Sequence, residues 1–216
     1  MADSTSGKRI VIKIGTGVLT RDTSGEIHHA MLARLSQAIA DIRSAGHEVV
    51  VVSSGAVGAG LSTFQLTDRP TGLNVAQLLV TNDDLNNPSR RTNFLATLNA
   101  ILRHDQVIPI MNENDSVSVY ELKGGDNDTL SAMVAQLSDA DLLIILTSVK
   151  RLMGPDATSD DDIISEVDDI ETVLDFARDE KGELSVGGMS SKLLAVKEAV
   201  SHGVETMIAS GLHPEQ

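Results

Sequence analysis

The chain has 216 residues, 41% of them hydrophobic but only 2% aromatic, and carries 17 basic against 31 acidic side chains for a net charge of -14. That length suits a single α/β domain with an aliphatic core, while the charge repels nucleic acid and anionic membrane, so neither is expected as a partner. The absence of cysteine excludes disulfides and thiolate metal sites, and the lack of a signal-like h-region or a membrane-length apolar run points to the cytoplasm.

In chain order, Ile10 to Ile14 reads as a buried strand, Met31 to Arg43 as an amphipathic helix stopped at Gly46, and Glu48 to Ser53 as a second strand. Small residues follow from Ser53 to Gly60. Leu73 to Val80 is a strand, Arg91 to Arg103 a helix, Val107 to Met111 a strand, Thr129 to Leu137 a helix and Leu142 to Thr147 a strand. The polar stretch from Gly154 to Asp162 reads as a solvated loop and Ile163 to Val167 as a short edge strand. Helices over Ile170 to Arg178 and Met189 to Ser201, separated by the loop Asp179 to Gly188, and a strand over Glu205 to Ala209 complete the chain. Near-continuous Val, Ile and Leu runs alternating with helices predict a parallel sheet covered on both faces. Its strand-to-helix loops then collect at one edge, where ligands bind in such folds.

Lys13 lies at the end of the first strand, directly before Gly15 and Gly17. Lys192 follows Gly187 and Gly188 at a helix start. In a protein this acidic, a polyanionic ligand must be held locally by backbone N–H groups, helix N-termini and a few placed cations. Between the lysines fall two polar clusters, Asn112-Glu113-Asn114-Asp115 and Gly125-Asp126-Asn127-Asp128-Thr129. Each part has a plain structural alternative: a strand-end lysine reaching water, a surface-helix lysine, an Asx turn, a helix cap. Together they outline a phosphoryl-transfer site. The dinucleotide and P-loop fingerprints fail, because Gly55, Gly58 and Gly60 run in the wrong order and Gly188 and Met189 stand where a P-loop needs lysine and a hydroxyl. The six histidines show no metal-ligand spacing, and the acids at 160 to 162 lack the glycine and final glutamate of a calcium loop.

The segments VIKIGTGVLT (11–20), VVVSSGAVGAG (50–60), QLLVTNDDL (77–85), VIPIMNENDSV (107–117), GDNDTLSA (125–132), DLLIILT (141–147), GGMSSK (187–192) and IASGLHP (208–214), in this order, resemble the amino acid kinase family. Within it they resemble the branch that phosphorylates the γ-carboxylate of L-glutamate, the first step of proline synthesis. The resemblance implies a three-layer αβα sandwich with glutamate and ATP side by side at one sheet edge. It implies that Lys13 and Lys192 neutralise the transferring phosphoryl group and that Asp128 holds the lysines. Ser54, Asp115 and Asn127 would bind glutamate, supported by Gly55 and Asn112. Lys13, Gly15, Thr147, Ser148, Gly187, Gly188, Met189, Ser190, Ser191 and Lys192 would line the ATP site. Magnesium would arrive with ATP, with no metal site of the protein's own. A glutamyl phosphate reductase as pathway partner, inhibition by proline and a homo-oligomer are also implied. Family members acting on aspartate, N-acetylglutamate, carbamate or a nucleoside monophosphate are the alternatives, as is a ligand-binding paralogue without turnover.

The sequence also departs from that family pattern. It passes from Arg69-Pro70 to Gly72-Leu73 where a further helix is expected, and the expectation is a domain without the family's last elements and without a C-terminal RNA-binding-type domain. Ser148 stands in place of an aspartate, Lys150-Arg151 in place of an acid-glycine pair, and Glu183 to Val186 in place of a glycine-rich approach. The expectation is one kinase domain with altered nucleotide contacts.

Overall fold

A computed structural model describes residues 7–20, 27–53, 74–114, 117, 127–148, 152, 164–174 and 189–212. The β-branched runs Arg9–Ile14 (β1) and Glu48–Ser53 (β2) form the middle of a sheet, joined by Asn74–Val80 (β3), Val107–Glu113 (β4), Leu142–Thr147 (β5) and Glu205–Ser210 (β6). The order is β3-β4-β2-β1-β5-β6, and every pairing is parallel. All six strands therefore end at the same edge.

Strand alternation divides the sheet between two cores. Val11, Val50, Val52, Met111, Leu143 and Ile145 pack beneath Pro88–Leu102 (α4), Asn127–Leu137 (α5) and Met189–Ser201 (α6). Ile10, Ile12, Ile14, Val49, Val51, Ile108 and Ile110 pack against Thr16–Leu19 (α1) and His29–Ser44 (α2). The short helix α3 (Asn82–Asn86) joins β3 to α4. The αβα sandwich expected from the sequence is present. Helix α2 stops at Gly46, whose φ of 92° suits a residue without Cβ. Among the described residues, no helix is long and apolar enough to cross a membrane.

Several boundaries differ from the sequence reading. Strand β4 runs on through Asn112 and Glu113 because Leu79 and Val80 of β3 supply pairing partners that far, so these two residues are strand rather than loop. Gly17 lies in α1, and α4 begins at Pro88, capped by the Asn87 side chain. Residues 164–167 form no strand, while 171–174 are helical. The small-residue stretch 54–60, the acidic loop 154–162, the remaining helix 175–178 and the loop 179–188 lie outside the described residues.

Candidate active site

Alternation places Lys13 on the same face as Val11, beneath α5, and not toward α2. Asp128 occupies the first turn of α5, where the helix dipole favours a carboxylate. Lys192 is in the first turn of α6, an end that disfavours a cation unless an anion stands by. The anion is Asp128. Its Oδ1 pairs with the Lys13 ammonium and its Oδ2 lies 3.2 Å from Lys192 Nζ, with exposures of 4% for Lys13, 0% for Asp128 and 3% for Lys192. The Ser191 hydroxyl donates to the same Oδ2 at 3.3 Å.

Two buried ammonium groups thus share one buried carboxylate. Isolated ions of this kind are costly to desolvate, and a one-to-one pair would already balance Asp128. Among the described residues the cluster therefore holds one more cation than anion, an arrangement that favours an added anion. Gly15 lies close against the cluster: a Cβ there would meet Leu146 O at 3.2 Å, tighter than an ordinary contact, and the Lys13 ammonium at 3.9 Å. A phosphate-bearing substrate fits this set of donors.

The acceptor side adjoins it directly. Asn127, the residue before Asp128, donates through Nδ2 to Asn112 Oδ1 at 3.2 Å, joining the start of α5 to the end of β4. Asn112 is buried, and the main chain beyond it is fixed by Asn114 N–H donating to Val80 O at 2.8 Å. Ser53 lies opposite Ile14 in register, and its hydroxyl donates to the Ile14 carbonyl at 3.3 Å. The end of β2 is thereby set next to Gly15.

On the other side, Thr147 is buried at the end of β5 and its carbonyl accepts from Gly211 N–H at 3.0 Å. Ser148 is exposed, with its hydroxyl over Gly17 so closely that a Cβ on Gly17 would collide with it. Met189, Ser190 and Ser191 form the opening of α6 and are half-buried.

Of the residues singled out in the sequence, the fold brings Lys13, Asp128 and Lys192 into contact and ties Asn112 to Asn127. Gly15 sits beside Lys13, and Thr147 and Ser148 stand at the adjoining strand end. Ser54, Gly55, Asp115, Gly187 and Gly188 lie outside the described residues. The Ser191 bond to Asp128 was missed, although the serine was expected on the ATP side. So was the T-x-x-D cap at Thr81 and Asp84, whose signal is plain in the sequence. Among the described residues no group of three or more His, Asp or Glu side chains is placed to hold a metal ion.

The fold is an all-parallel αβα sandwich with two lysines and an aspartate buried together at the C-terminal edge of its sheet. The sequence matches the model of the amino acid kinase family over residues 8–70 and 64–210, and the chain belongs to that family. It is 40% identical to a glutamate 5-kinase of Geobacter metallireducens, covering 96% of this chain and 63% of that protein. It is 38% identical to one from Thermus thermophilus, covering 99% and 65%. The chain therefore spans a little under two thirds of these curated relatives. Among solved structures, it resembles N-acetylglutamate synthase from Neisseria gonorrhoeae with coenzyme A and N-acetyl-glutamate, with a TM-score of 0.66 and 15% identity over 95% of this chain and 55% of that one. Carbamate kinase from Giardia lamblia bound to AMP-PNP gives a TM-score of 0.60 and 16% identity over 96% and 94%. These two likenesses concern the fold.

Proposed function

We propose that this chain transfers the γ-phosphoryl group of ATP to the γ-carboxylate of L-glutamate, forming L-glutamyl 5-phosphate, as a glutamate 5-kinase. The observation that carries the proposal is the convergence of Lys13 and Lys192 on Asp128 at the strand-end edge, two cations buried about one carboxylate. The identity to glutamate 5-kinases over nearly the whole chain supports glutamate as the acceptor.

The γ-carboxylate is ionised at neutral pH and needs no general base, so the task is alignment and charge compensation. Lys13 and Lys192 compensate negative charge on the phosphoryl group, and Asp128 keeps both ammonium groups aimed at it. Asn112 and Asn127, with Ser54, Gly55 and Asp115, hold glutamate. Gly15, Thr147, Ser148 and the segment 187–191 line the nucleotide side. Magnesium, brought by ATP, supplies further neutralisation of the phosphates.

From the same reading we place the chain in the cytoplasm, pass its acyl phosphate to a glutamyl phosphate reductase, and expect inhibition by proline and a homo-oligomeric state. An alignment of 237 positions, longer than the 216 residues of the chain, supports the view that an internal segment of the relatives has no counterpart here. The test is incubation with magnesium-ATP, hydroxylamine and each candidate acid. Hydroxamate from glutamate alone is expected. Product from aspartate or N-acetylglutamate instead, or glutamate binding without product, would reject the proposal.

A further inference from the structure

We infer that Thr81, Asp84 and Arg90 position the acceptor side of the site, by pinning the end of edge strand β3 so that β4 presents Asn112 correctly. The inference rests on the proposed function, since it takes Asn112 as a glutamate-binding residue.

Among the described residues strand β3 has a neighbour on one side only, and its last pairs, Leu79 with Asn112 and Val80 with Glu113, lie at the strand-end edge. The Val80 carbonyl then accepts Asn114 N–H. The segment Asn112 to Asn114 therefore has β3 as its outer support. An edge-strand terminus frays unless something fixes it.

What fixes it begins at the next residue. Thr81 N–H and Thr81 Oγ1–H both donate to Asp84 Oδ2, at 2.8 and 2.7 Å, and Asp84 N–H donates back to Thr81 Oγ1 at 3.2 Å. This reciprocal cap is locked from two directions. Leu85, beside Asp84, is buried in the core under α4. Arg90, from the first turn of α4, brings one nitrogen to 3.1 Å from both Asp83 Oδ2 and Asp84 Oδ1. Helix α4 is itself anchored by Phe94, Leu98 and Leu102. Burial alone would raise the Asp84 carboxyl, yet the Thr81 hydroxyl and amide and the Arg90 charge outweigh it and hold the group below its ordinary value. The carboxylate is thus the form the cap needs. None of the three side chains touches Asn112, Lys13, Asp128 or Lys192 in the bonds described, so their effect passes through the main chain from Thr81 to Val80 and across to Asn114.

A merely structural cap would change folding and nothing else. A positioning role separates the two substrates. In Thr81→Ala and Asp84→Ala, KM for glutamate is expected to rise on the order of tenfold, with KM for magnesium-ATP changing less than about twofold. Thr81→Ser, which keeps the hydroxyl, should restore the glutamate KM. Should Asp84→Ala fail to fold, Thr81→Ala and Arg90→Gln carry the same expectation in the same direction. Folded variants with an unchanged glutamate KM overturn the inference, as do equal rises in both KM values. Loss of glutamate-dependent hydroxamate in the unsubstituted protein would overturn the proposed function and this inference together, which distinguishes the two failures.

Discussion

Strand β1 carries a cation near each end, and the two have opposite fates. Arg9 opens the strand half-buried and fully matched: its Nε bonds Glu48 at 2.7 Å, its guanidinium bonds the Ser138 carbonyl, and its N–H bonds Asp141 Oδ2 at 2.7 Å. Lys13, four residues on, is 4% exposed and, among the described residues, shares the Asp128 carboxylate with Lys192. At the first end the Arg9 guanidinium is paired with Glu48 and ties β1 to β2 and to the turn after α5. At the second end, among the described residues, two buried cations face one buried anion. In the proposed function the cluster in which two lysines share one carboxylate is the site, and the pair at the other end of the strand is scaffold.

Breaking the anion should have the largest effect. Asp128→Asn leaves two buried ammonium groups without their shared carboxylate. It is expected to cost about 3–5 kcal/mol of stability, read by denaturant unfolding, and to abolish phosphoryl transfer. Lys13→Met takes the comparison in the other direction. It restores a one-to-one pair between Asp128 and Lys192, so melting temperature should hold or rise while glutamate phosphorylation falls on the order of a hundredfold or more. A variant that lost stability in proportion to activity would place Lys13 with Arg9, in the scaffold.

Arg9→Met should show the reverse separation. Removing a pair that is partly exposed is expected to cost about 1 kcal/mol with kcat/KM unchanged for either substrate. The smallest effect concerns acid. Because the folded-state pKa of Asp84 is depressed below 3.8, the unfolded chain binds the proton first on acidification. The contribution of Asp84 is present above the ordinary carboxylate range and is lost as pH falls through the folded value. Thr81→Ala should therefore flatten the fall in melting temperature between about pH 5 and pH 3, where unfolded carboxyls titrate, relative to the unsubstituted protein.

Much of this arrangement was legible in the sequence, because β-branched runs such as Val49 to Val52 and the stripe Leu32, Leu35 and Ile39 have periods that only buried strands and amphipathic helices satisfy. Lys13 is marked by its place at the end of an apolar strand before Gly15 and Gly17, though a strand-end lysine reaching water has the same local pattern. What local pattern did not reveal was set by neighbours. Asn112 and Glu113 have poor strand propensity, yet β3 pairs with them and extends β4. Helix α3 has too few apolar residues to show a period, and its start is fixed by the Thr81–Asp84 cap. Ile163 to Val167 is expected from the sequence as a short edge strand, but residues 164–167 pair with no strand in the sheet. Ile164 instead packs in a satellite cluster with Val173, Leu174 and Leu193. The meeting of Lys13 with Lys192 is a property of topology: β1 lies at the sheet's centre and α6 returns over it only after β5.

A structure of the protein with magnesium, AMP-PNP and glutamate tests the central claim most directly. The account predicts Lys13 Nζ and Lys192 Nζ within about 4 Å of oxygens of the terminal phosphate, with Asp128 still between the two lysines. A nucleotide whose phosphates lie away from this cluster, with the three side chains as they stand now, would contradict it.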